Sequence, residues 1–351
     1  MKLYFSPDQL KHQPQQYFRF GKVGTPVENP NRMETLADAL ARLGLDRRTP
    51  EDKGRAPLLK VHTQDYVAFL EEIFPLWQKL PSAGPEAFPN VHPYRGAGPD
   101  FVRHDRPRNT GAIGRIGYHV GDMSCAIGAG TWAAAYASAQ TAINGAQAIR
   151  SGDRSAFALC RPPGHHCYRD RANGFCFLNN AAIAAEILRE VFPRVAILDF
   201  DTHHGDGTQA IFYQRGDVLV ASCHTDPTDY YPHFAGFADE TGAGPGEGAN
   251  LNIPLLPKSD NAVFIAAVNK LAEAVEQFGA DALIVSAGWD AHRDDPLSEL
   301  HVTTEAYARI GERLGRLGLP TLIVQEGGYS LAAIAEAAPA FVTAFLSSHK
   351  G

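Results

Sequence analysis

The sequence has little cysteine, no block of basic residues and no long uninterrupted hydrophobic segment. Only five of its 351 residues are cysteine, the number is odd, and no pair has the Cys-x-x-Cys spacing of many metal and redox sites. We therefore expect reduced thiols and a cytoplasmic protein rather than a disulfide-stabilised one. The five are Cys125, Cys160, Cys167, Cys176 and Cys223.

Charge and hydropathy exclude further classes of function. The formal net charge is −7 with a pI near 6.0, and no cluster of lysine and arginine indicates nucleic-acid binding. The first residues become polar too early for a signal peptide, and we expect no apolar run of membrane-spanning length. The acidic balance favours a cationic substrate, although a surface adjusted for solubility has the same composition.

Repeats, linkers and low-complexity tracts are also absent, which predicts one catalytic domain over residues 1–351. Short apolar runs alternate with longer amphipathic segments, as in β-α-β units. The predicted fold class is α/β, with a central parallel sheet covered by helices on both faces. The predicted strands are residues 3–5, 156–159, 195–198, 218–222, 282–286 and 321–325. The predicted helices are residues 33–43, 63–80, 131–151, 179–191, 261–278, 304–317 and 330–346.

Two long segments, residues 81–114 and 226–248, lack a regular hydrophobic pattern. Long irregular segments in a compact domain usually carry function or form an interface. Disorder is the alternative for the first segment.

Reactive side chains follow five of the predicted strands. In an open parallel sheet the carboxyl ends of the strands share one edge, where ligands bind. Five such groups at one edge predict an active site. They are residues 160–166, 199–208, 222–224, 287–292 and 326–329.

The second of these groups predicts a metal site. Asp201 and His203 stand at alternate positions, so their side chains share one side of an extended segment. Asp290, after a neighbouring strand, supplies a third ligand, and two carboxylates with one imidazole suit zinc with an open position for water. The alternatives are a polar loop before a capped helix, and a helix N-cap for Asp290.

The other groups predict acid–base chemistry. His165 and His166 follow a rigid Pro-Pro-Gly turn, and such a tandem can act on metal-activated water. Asp199 and Asp206 are their expected carboxylate partners. Tyr329 follows two glycines and can donate to a developing oxyanion. Structural histidines and a core tyrosine are the alternatives.

Residues 161–166, 199–209, 287–292 and 326–329 together resemble the zinc-dependent histone deacetylase superfamily. The resemblance covers nearly the whole chain. Among its branches the chain is most similar to bacterial acetylpolyamine amidohydrolases and histone deacetylase-like amidohydrolases, through residues 3–8, 130–132 and 212–217.

The resemblance implies an arginase-like three-layer fold and one zinc ion per chain on Asp201, His203 and Asp290. It makes His166 the general base beside His165, and Tyr329 the group that polarises the substrate carbonyl. It also implies a potassium ion held by Asp199, Asp201, His203, Ser222 and the carbonyl of Cys223.

For the substrate tunnel, the resemblance implies walls at Gly174, Phe175 and Tyr231, with Asp122 at the rim holding the substrate. It further implies that residues 81–114 form a contact in a homodimer or higher homo-oligomer and narrow the tunnel mouth. Asp206 departs from the polyamine branch, where asparagine is common. Ile113 and Ser124 stand where that branch has rim glutamates.

The expected function is hydrolysis of the amide of small N-acylated amines, such as acetylpolyamines or acetyl-lysine-like substrates. Another small amide, including a xenobiotic one, remains an alternative substrate. A binuclear manganese ureohydrolase and a non-catalytic sensor are the alternative functions on the same fold.

Overall fold

An eight-stranded parallel sheet forms the centre of the protein in the computed structural model, which describes residues 1–93 and 111–349. The strand order is β4-β1-β5-β10-β9-β6-β7-β8, and each of the six predicted strands overlaps one of these. The strands are β1 Lys2–Tyr4, β4 Asp46–Arg48, β5 Ser155–Ala158, β6 Val195–Asp199, β7 Val218–Thr225, β8 Asn250–Leu255, β9 Ala282–Ala287 and β10 Thr321–Gln325. A separate antiparallel hairpin pairs β2 Tyr17–Arg19 with β3 Lys22–Gly24.

Helices cover both faces of the sheet. The seven predicted helices are present, together with the unpredicted α3 and α6. The helices are α1 Asn31–Ala41, α2 Gln64–Trp77, α3 Ala112–His119, α4 Thr131–Arg150, α5 Asn180–Leu188, α6 Asp206–Phe212, α7 Asn261–Phe278, α8 Thr304–Gly315 and α9 Leu331–Ser348. Short 3-10 helices lie at Pro7–Lys11, Leu58–Lys60 and Gly244–Gly246.

Alternating residues of the central strands build two separate cores. In β6, Val195 and Ile197 pack with α2, α4 and α5 on one face. Ala196 and Leu198 pack with α1, α7, α8 and α9 on the other. Because strand side chains alternate between faces, a strand buried on both sides reads as a continuous apolar run. The predicted three-layer α/β fold is confirmed.

The elements that the sequence pattern missed are short or polar. β4 contains only three residues, all exposed, and forms one edge of the sheet. β8 forms the other edge and contains two asparagines and Pro254, which are poor strand formers. The turn of the hairpin consists of Phe20 and Gly21, both with positive φ (50° and 72°), instead of the usual Asn-Gly.

The two irregular segments behave differently. Residues 226–248 contain the 3-10 turn Gly244–Gly246 as their regular structure and pass over the carboxyl edge of the sheet. Of residues 81–114, the last three begin α3, and residues 94–110 lie outside the described part of the chain. The expected oligomer contact therefore falls largely on residues that are not described.

Helix α9 is the one helix among the described residues with the length and hydropathy of a membrane span, contrary to the expectation from sequence. Its apolar residues Ile334, Ala337, Phe341 and Phe345 are completely buried in the core. The helix packs against α1 and α8, as core helices do.

Candidate active site

A cavity of about 340 Å³ opens at the carboxyl edge of the sheet. His166, His203 and Tyr329 line its closed end, and the aromatic side chains of Phe175 and Tyr231 line its walls. The remaining lining residues are Tyr17, Phe18, Arg19, Phe20, Asp122, Met123, Ser124, Gly174, Asp229, Tyr230, His233, Leu297 and Glu299.

The three predicted metal ligands converge at this closed end. One ligand atom from each of Asp201, His203 and Asp290 lies within 4.8 Å of the others, and all three residues are buried. Nδ1 of His203 is 3.1 Å from Oδ1 of Asp201 and 3.2 Å from Oδ2 of Asp290. The three donors therefore face one point, as ligands of a single ion do.

The electrostatics of this group fit a cation. Burial and the neighbouring charge of Asp201 raise the pKa of Asp290 to about 7. Burial acts against ionisation of Asp201 as well, but His165 and His203 outweigh it and lower the pKa of Asp201. Two buried carboxylates that repel each other gain most from a divalent ion between them. With one imidazole and two carboxylates, the donor set suits zinc.

Two glycines leave the space that Asp201 occupies. A Cβ atom on Gly288 would lie 2.2 Å from Oδ2 of Asp201, and one on Gly327 would lie 2.4 Å from it. Such distances are too short for any side chain. The backbone N–H of Gly327 also donates to the same oxygen at 2.8 Å. These glycines therefore fix the position of one metal ligand.

Tyr230, which the sequence did not single out, orients His203. Its hydroxyl is 3.0 Å from Nε2 of His203 and donates to the carbonyl of Leu297. A hydroxyl that donates to Leu297 accepts from His203, so Nε2 carries the proton and Nδ1 is left with a free lone pair. The only sequence signal was its position next to Tyr231.

The tandem histidines have the expected carboxylate partners. Nδ1 of His165 lies 3.0 Å from Oδ2 of Asp199, and Nδ1 of His166 lies 2.7 Å from Oδ1 of Asp206. The centroids of the two imidazole rings are 4.0 Å apart. Each aspartate fixes one ring nitrogen and leaves the other nitrogen for chemistry.

The two histidines have opposite pKa shifts. Burial acts against protonation of His165, but the carboxylates of Asp201 and Asp199 outweigh it and hold its pKa well above the usual range. Burial and the adjacent positive charge of His165 lower the pKa of His166 well below its usual range. A neighbouring pair with separated pKa values can supply one charged imidazole and one neutral base.

Tyr329 is held by a buried arginine. The guanidinium carbon of Arg32 lies 4.6 Å from the centre of the tyrosine ring. Arg32 also donates to the carbonyls of Gly328 at 2.5 Å and Glu326 at 2.7 Å, and Asp295 accepts from the N–H of Tyr329 at 2.6 Å. No periodic pattern or motif indicated Arg32, since its contacts span almost 300 residues of chain.

The predicted potassium ligands lie at the ends of β6 and β7. Asp199 pairs with Ser222 in the parallel register, and Oδ1 of Asp199 accepts from the N–H of Asp201 at 3.0 Å. Ser222 is 2.8 Å from Nδ1 of His224, and the Cys223 side chain points into the core. The structure thus places Asp199 and Ser222 at the ends of neighbouring strands, with Asp199 in contact with Asp201.

Asp122 lies in the cavity wall, but its carboxylate is used within the protein. It accepts hydrogen bonds from Ser124, Gly174 and Tyr231. The expectation that Asp122 holds the substrate is therefore not matched by a free carboxylate. Ser124 also lines the cavity, whereas Ile113 does not.

Among the residues that the structure describes, the lining of the cavity carries more negative than positive charge. It contains the acidic Asp122, Asp229 and Glu299, and within residues 1–93 and 111–349 Arg19 is the one arginine of this lining. Asp229 and Glu299 are exposed, and neither carboxylate is bonded to any residue within 1–93 or 111–349. Such carboxylates remain available to a positively charged ligand.

Comparison with known proteins agrees with this geometry. The family sequence model of the histone deacetylase domain matches residues 26–345. The chain is 45% identical to an acetylpolyamine amidohydrolase of Burkholderia pseudomallei over 346 residues, which is 98% of each chain. It is 39% identical to the acetylpolyamine amidohydrolase of Mycoplana ramosa over 333 residues, covering 94% of this chain and 95% of the relative.

Solved structures show the same relationship. The crystal structure of acetylpolyamine aminohydrolase from Burkholderia pseudomallei superimposes with a TM-score of 0.94 at 45% identity, over 99% of both chains. The HD domain of HDA15 superimposes with a TM-score of 0.81 at 28% identity, over 99% of this chain and 91% of that one. The chain belongs to the histone deacetylase family.

Proposed function

We propose that the protein is a zinc-dependent amidohydrolase that removes the acetyl group from small, positively charged N-acetylated amines. One observation carries the proposal. A three-residue metal-ligand set, two aspartate-oriented histidines and a tyrosine meet at the closed end of one aromatic-walled cavity. We propose one zinc ion per chain, on Asp201, His203 and Asp290.

Zinc in such a site supplies a Lewis acid that polarises the amide carbonyl and acidifies water. His166 is the proposed general base, because Asp206 holds its Nδ1 and its low pKa keeps Nε2 unprotonated. Tyr329 donates a hydrogen bond from its hydroxyl group to the carbonyl oxygen as negative charge develops there. Arg32, next to the tyrosine ring, keeps that hydroxyl in position.

The proton then moves to the leaving amine. Burial acts against protonation of His165, but Asp201 and Asp199 outweigh it and hold its pKa well above the usual range, and a bound cation would reduce that effect. The histidine pair thus holds one transferable proton beside the scissile bond. Departure of the amine requires that proton, because an amide anion is a very poor leaving group.

The cavity shape supports a thin substrate. The ring of Phe175 lies 5.8 Å from that of Tyr329, and the ring of Tyr231 lies 4.9 Å from that of His166. Facing aromatic walls fit an alkyl chain, and the acidic mouth suits an ammonium group at its far end. The names of the acetylpolyamine amidohydrolase relatives agree with such substrates.

Three further features belong to the proposal. Asp199, Asp201, His203, Ser222 and the carbonyl of Cys223 would hold a potassium ion that offsets the carboxylate charge. Residues 1–351 would act as a single cytoplasmic catalytic domain. The chain would form a homodimer or higher homo-oligomer through residues 81–114, and a monomer by light scattering at micromolar concentration would contradict that part.

Metal analysis and steady-state kinetics test the proposal together. We expect one zinc per chain, and higher kcat/KM for acetylputrescine and acetylspermidine than for an acetyl-lysine peptide or a small tertiary amide. Preference for the peptide or the tertiary amide would replace the substrate class and keep the chemistry. Two manganese ions per chain, or no hydrolysis of any substrate by zinc-loaded protein, would overturn the chemistry itself.

A further inference from the structure

The Asp122 carboxylate is saturated by hydrogen bonds inside the protein. Oδ1 accepts from the N–H and hydroxyl of Ser124, at 2.9 and 2.6 Å. Oδ2 accepts from the N–H of Gly174 at 2.9 Å and the hydroxyl of Tyr231 at 2.8 Å. A carboxylate offers about four lone-pair sites, so these donors occupy all of them.

The donors come from both walls of the cavity. Gly174 directly precedes Phe175, which lines one wall, and Tyr231 lines another. The Asp122 side chain therefore joins the two walls, and its bond to Tyr231 spans 109 residues of sequence. A wall that moved would have to break a charge-assisted hydrogen bond, which is stronger than one between neutral groups.

The Phe175 wall needs this support, because its backbone is strained. Phe175 has a φ of 66°, a region that side-chain-bearing residues rarely adopt, and Gly174 before it has a φ of 52°. Asp122 binds the N–H of Gly174, and the Ser124 hydroxyl accepts from the N–H of Phe175 at 3.3 Å. Strained backbone persists where surrounding contacts over-determine it, and these two bonds do so here.

The loop of residues 122–124 also contacts the hairpin in the outer part of the mouth. The N–H of Phe18 in the hairpin donates to the carbonyl of Met123 at 3.1 Å. The ring of Tyr17 lies 6.2 Å from that of Phe175. The loop around Asp122 is thus the common attachment of the hairpin and both aromatic walls.

We propose that Asp122 is a positioning residue that sets the width of the cavity, and that it does not bind the substrate. This inference rests on the proposed amide hydrolysis. It identifies Asp122 as a determinant of selectivity for thin, unbranched amines. The lone pairs of Asp122 are occupied by its own donors, so direct contact with an ammonium group is left to the other acids of the mouth.

One charged and one neutral substrate with the same carbon chain test the inference. N-acetylputrescine and N-butylacetamide share the acetamide and a four-carbon chain, but only the first carries an ammonium group. We expect Asp122→Ala to lower kcat/KM for both by the same factor, about tenfold or more, since a small misplacement of walls is costly. Loss confined to acetylputrescine would overturn the inference, because it would show direct recognition of the charge.

A bulkier amide gives a second readout. In Asp122→Ala, N-cyclohexylacetamide should gain activity relative to N-butylacetamide, because released walls admit a wider amine. Simple destabilisation of the fold would lower both rates and leave their ratio unchanged. An unchanged ratio would therefore overturn the inference.

Tyr231→Phe keeps the aromatic ring in the wall and removes its bond to Asp122. This variant still tests the inference if Asp122→Ala does not fold. It should show part of the same loss with both four-carbon substrates, and the same widening. The double variant should be no worse than Asp122→Ala alone, because Asp122→Ala already removes the bond that Tyr231→Phe breaks. Additive losses would overturn the coupling. A wild-type protein inactive on every substrate would instead overturn the proposed function, and this inference with it.

Discussion

The closed end of the cavity and its mouth are built in different ways. At the closed end, Asp201, His203 and Asp290 follow β6 and β9, and each is buried by neighbours on both sides. The mouth consists of the hairpin, the loop around Asp122 and residues 226–248, and its acids Asp229 and Glu299 are exposed. The proposed metal ligands are thus positioned by the sheet, and the mouth is formed by segments attached to its edge.

The largest effect is expected at the metal ligands. Asp290→Asn removes one of the two carboxylates in the proposed metal site. We expect loss of zinc and a fall in kcat/KM of at least about a thousandfold. Zinc content after gel filtration checks the first part. Asp294→Asn is the matched control, since it changes an exposed acid four residues away. A fully active Asp290→Asn protein would remove the closed end from the chemistry.

Tyr329→Phe tests the same region without disturbing the metal. Loss of an oxyanion donor costs about 3 kcal/mol in the barrier, so turnover should fall at least about a hundredfold while zinc stays bound. Tyr307→Phe is the control, because Tyr307 is also buried and its hydroxyl has no partner in the described part of the chain. Near-normal turnover in Tyr329→Phe would contradict its role.

The pH profile of kcat in Asp206→Asn tests how the closed end of the cavity works. Burial raises the pKa of Asp206 to about 7, so the carboxyl gains a proton as pH falls through that value and orients His166 less well. We expect kcat of the wild type to rise with pH through about 7. In the variant, the rise of kcat with pH near 7 should disappear. Its kcat should also be about tenfold lower, as for other groups that orient a catalytic side chain. An unchanged profile would assign the rise to another group.

The smallest effect is expected at the mouth. Asp229→Asn and Glu299→Gln each remove an exposed charge, so KM for acetylputrescine should rise about two- to fivefold. The rise should shrink at high salt, and KM for N-butylacetamide should not change. Equal effects on both substrates would mean that these residues act on the walls rather than on charge.

The same division explains what could be predicted from the sequence. Asp199, Asp201, His203 and Asp290 follow apolar runs whose character does not depend on distant contacts, so their positions were predictable. Arg32 and Tyr230 act through partners far away in sequence, and no local pattern marks such contacts.

The mouth was the least predictable region. The hairpin turns on Phe20 and Gly21, which lack the usual turn signature, and β4 and β8 are polar edge strands. Asp122 lines the cavity, but the sequence did not indicate the donors that bind its carboxylate, because a sequence shows that a carboxylate is present and not which donors reach it.

The attachment of the hairpin has a practical consequence for engineering. The hairpin, residues 17–24, is joined to Met123 by the backbone hydrogen bond from Phe18. Its Tyr17 ring also contacts the ring of Phe175. A backbone bond does not depend on side-chain identity. A replaced hairpin therefore keeps the bond to Met123 whatever its side chains are, whereas the contact with Phe175 requires an aromatic ring at position 17.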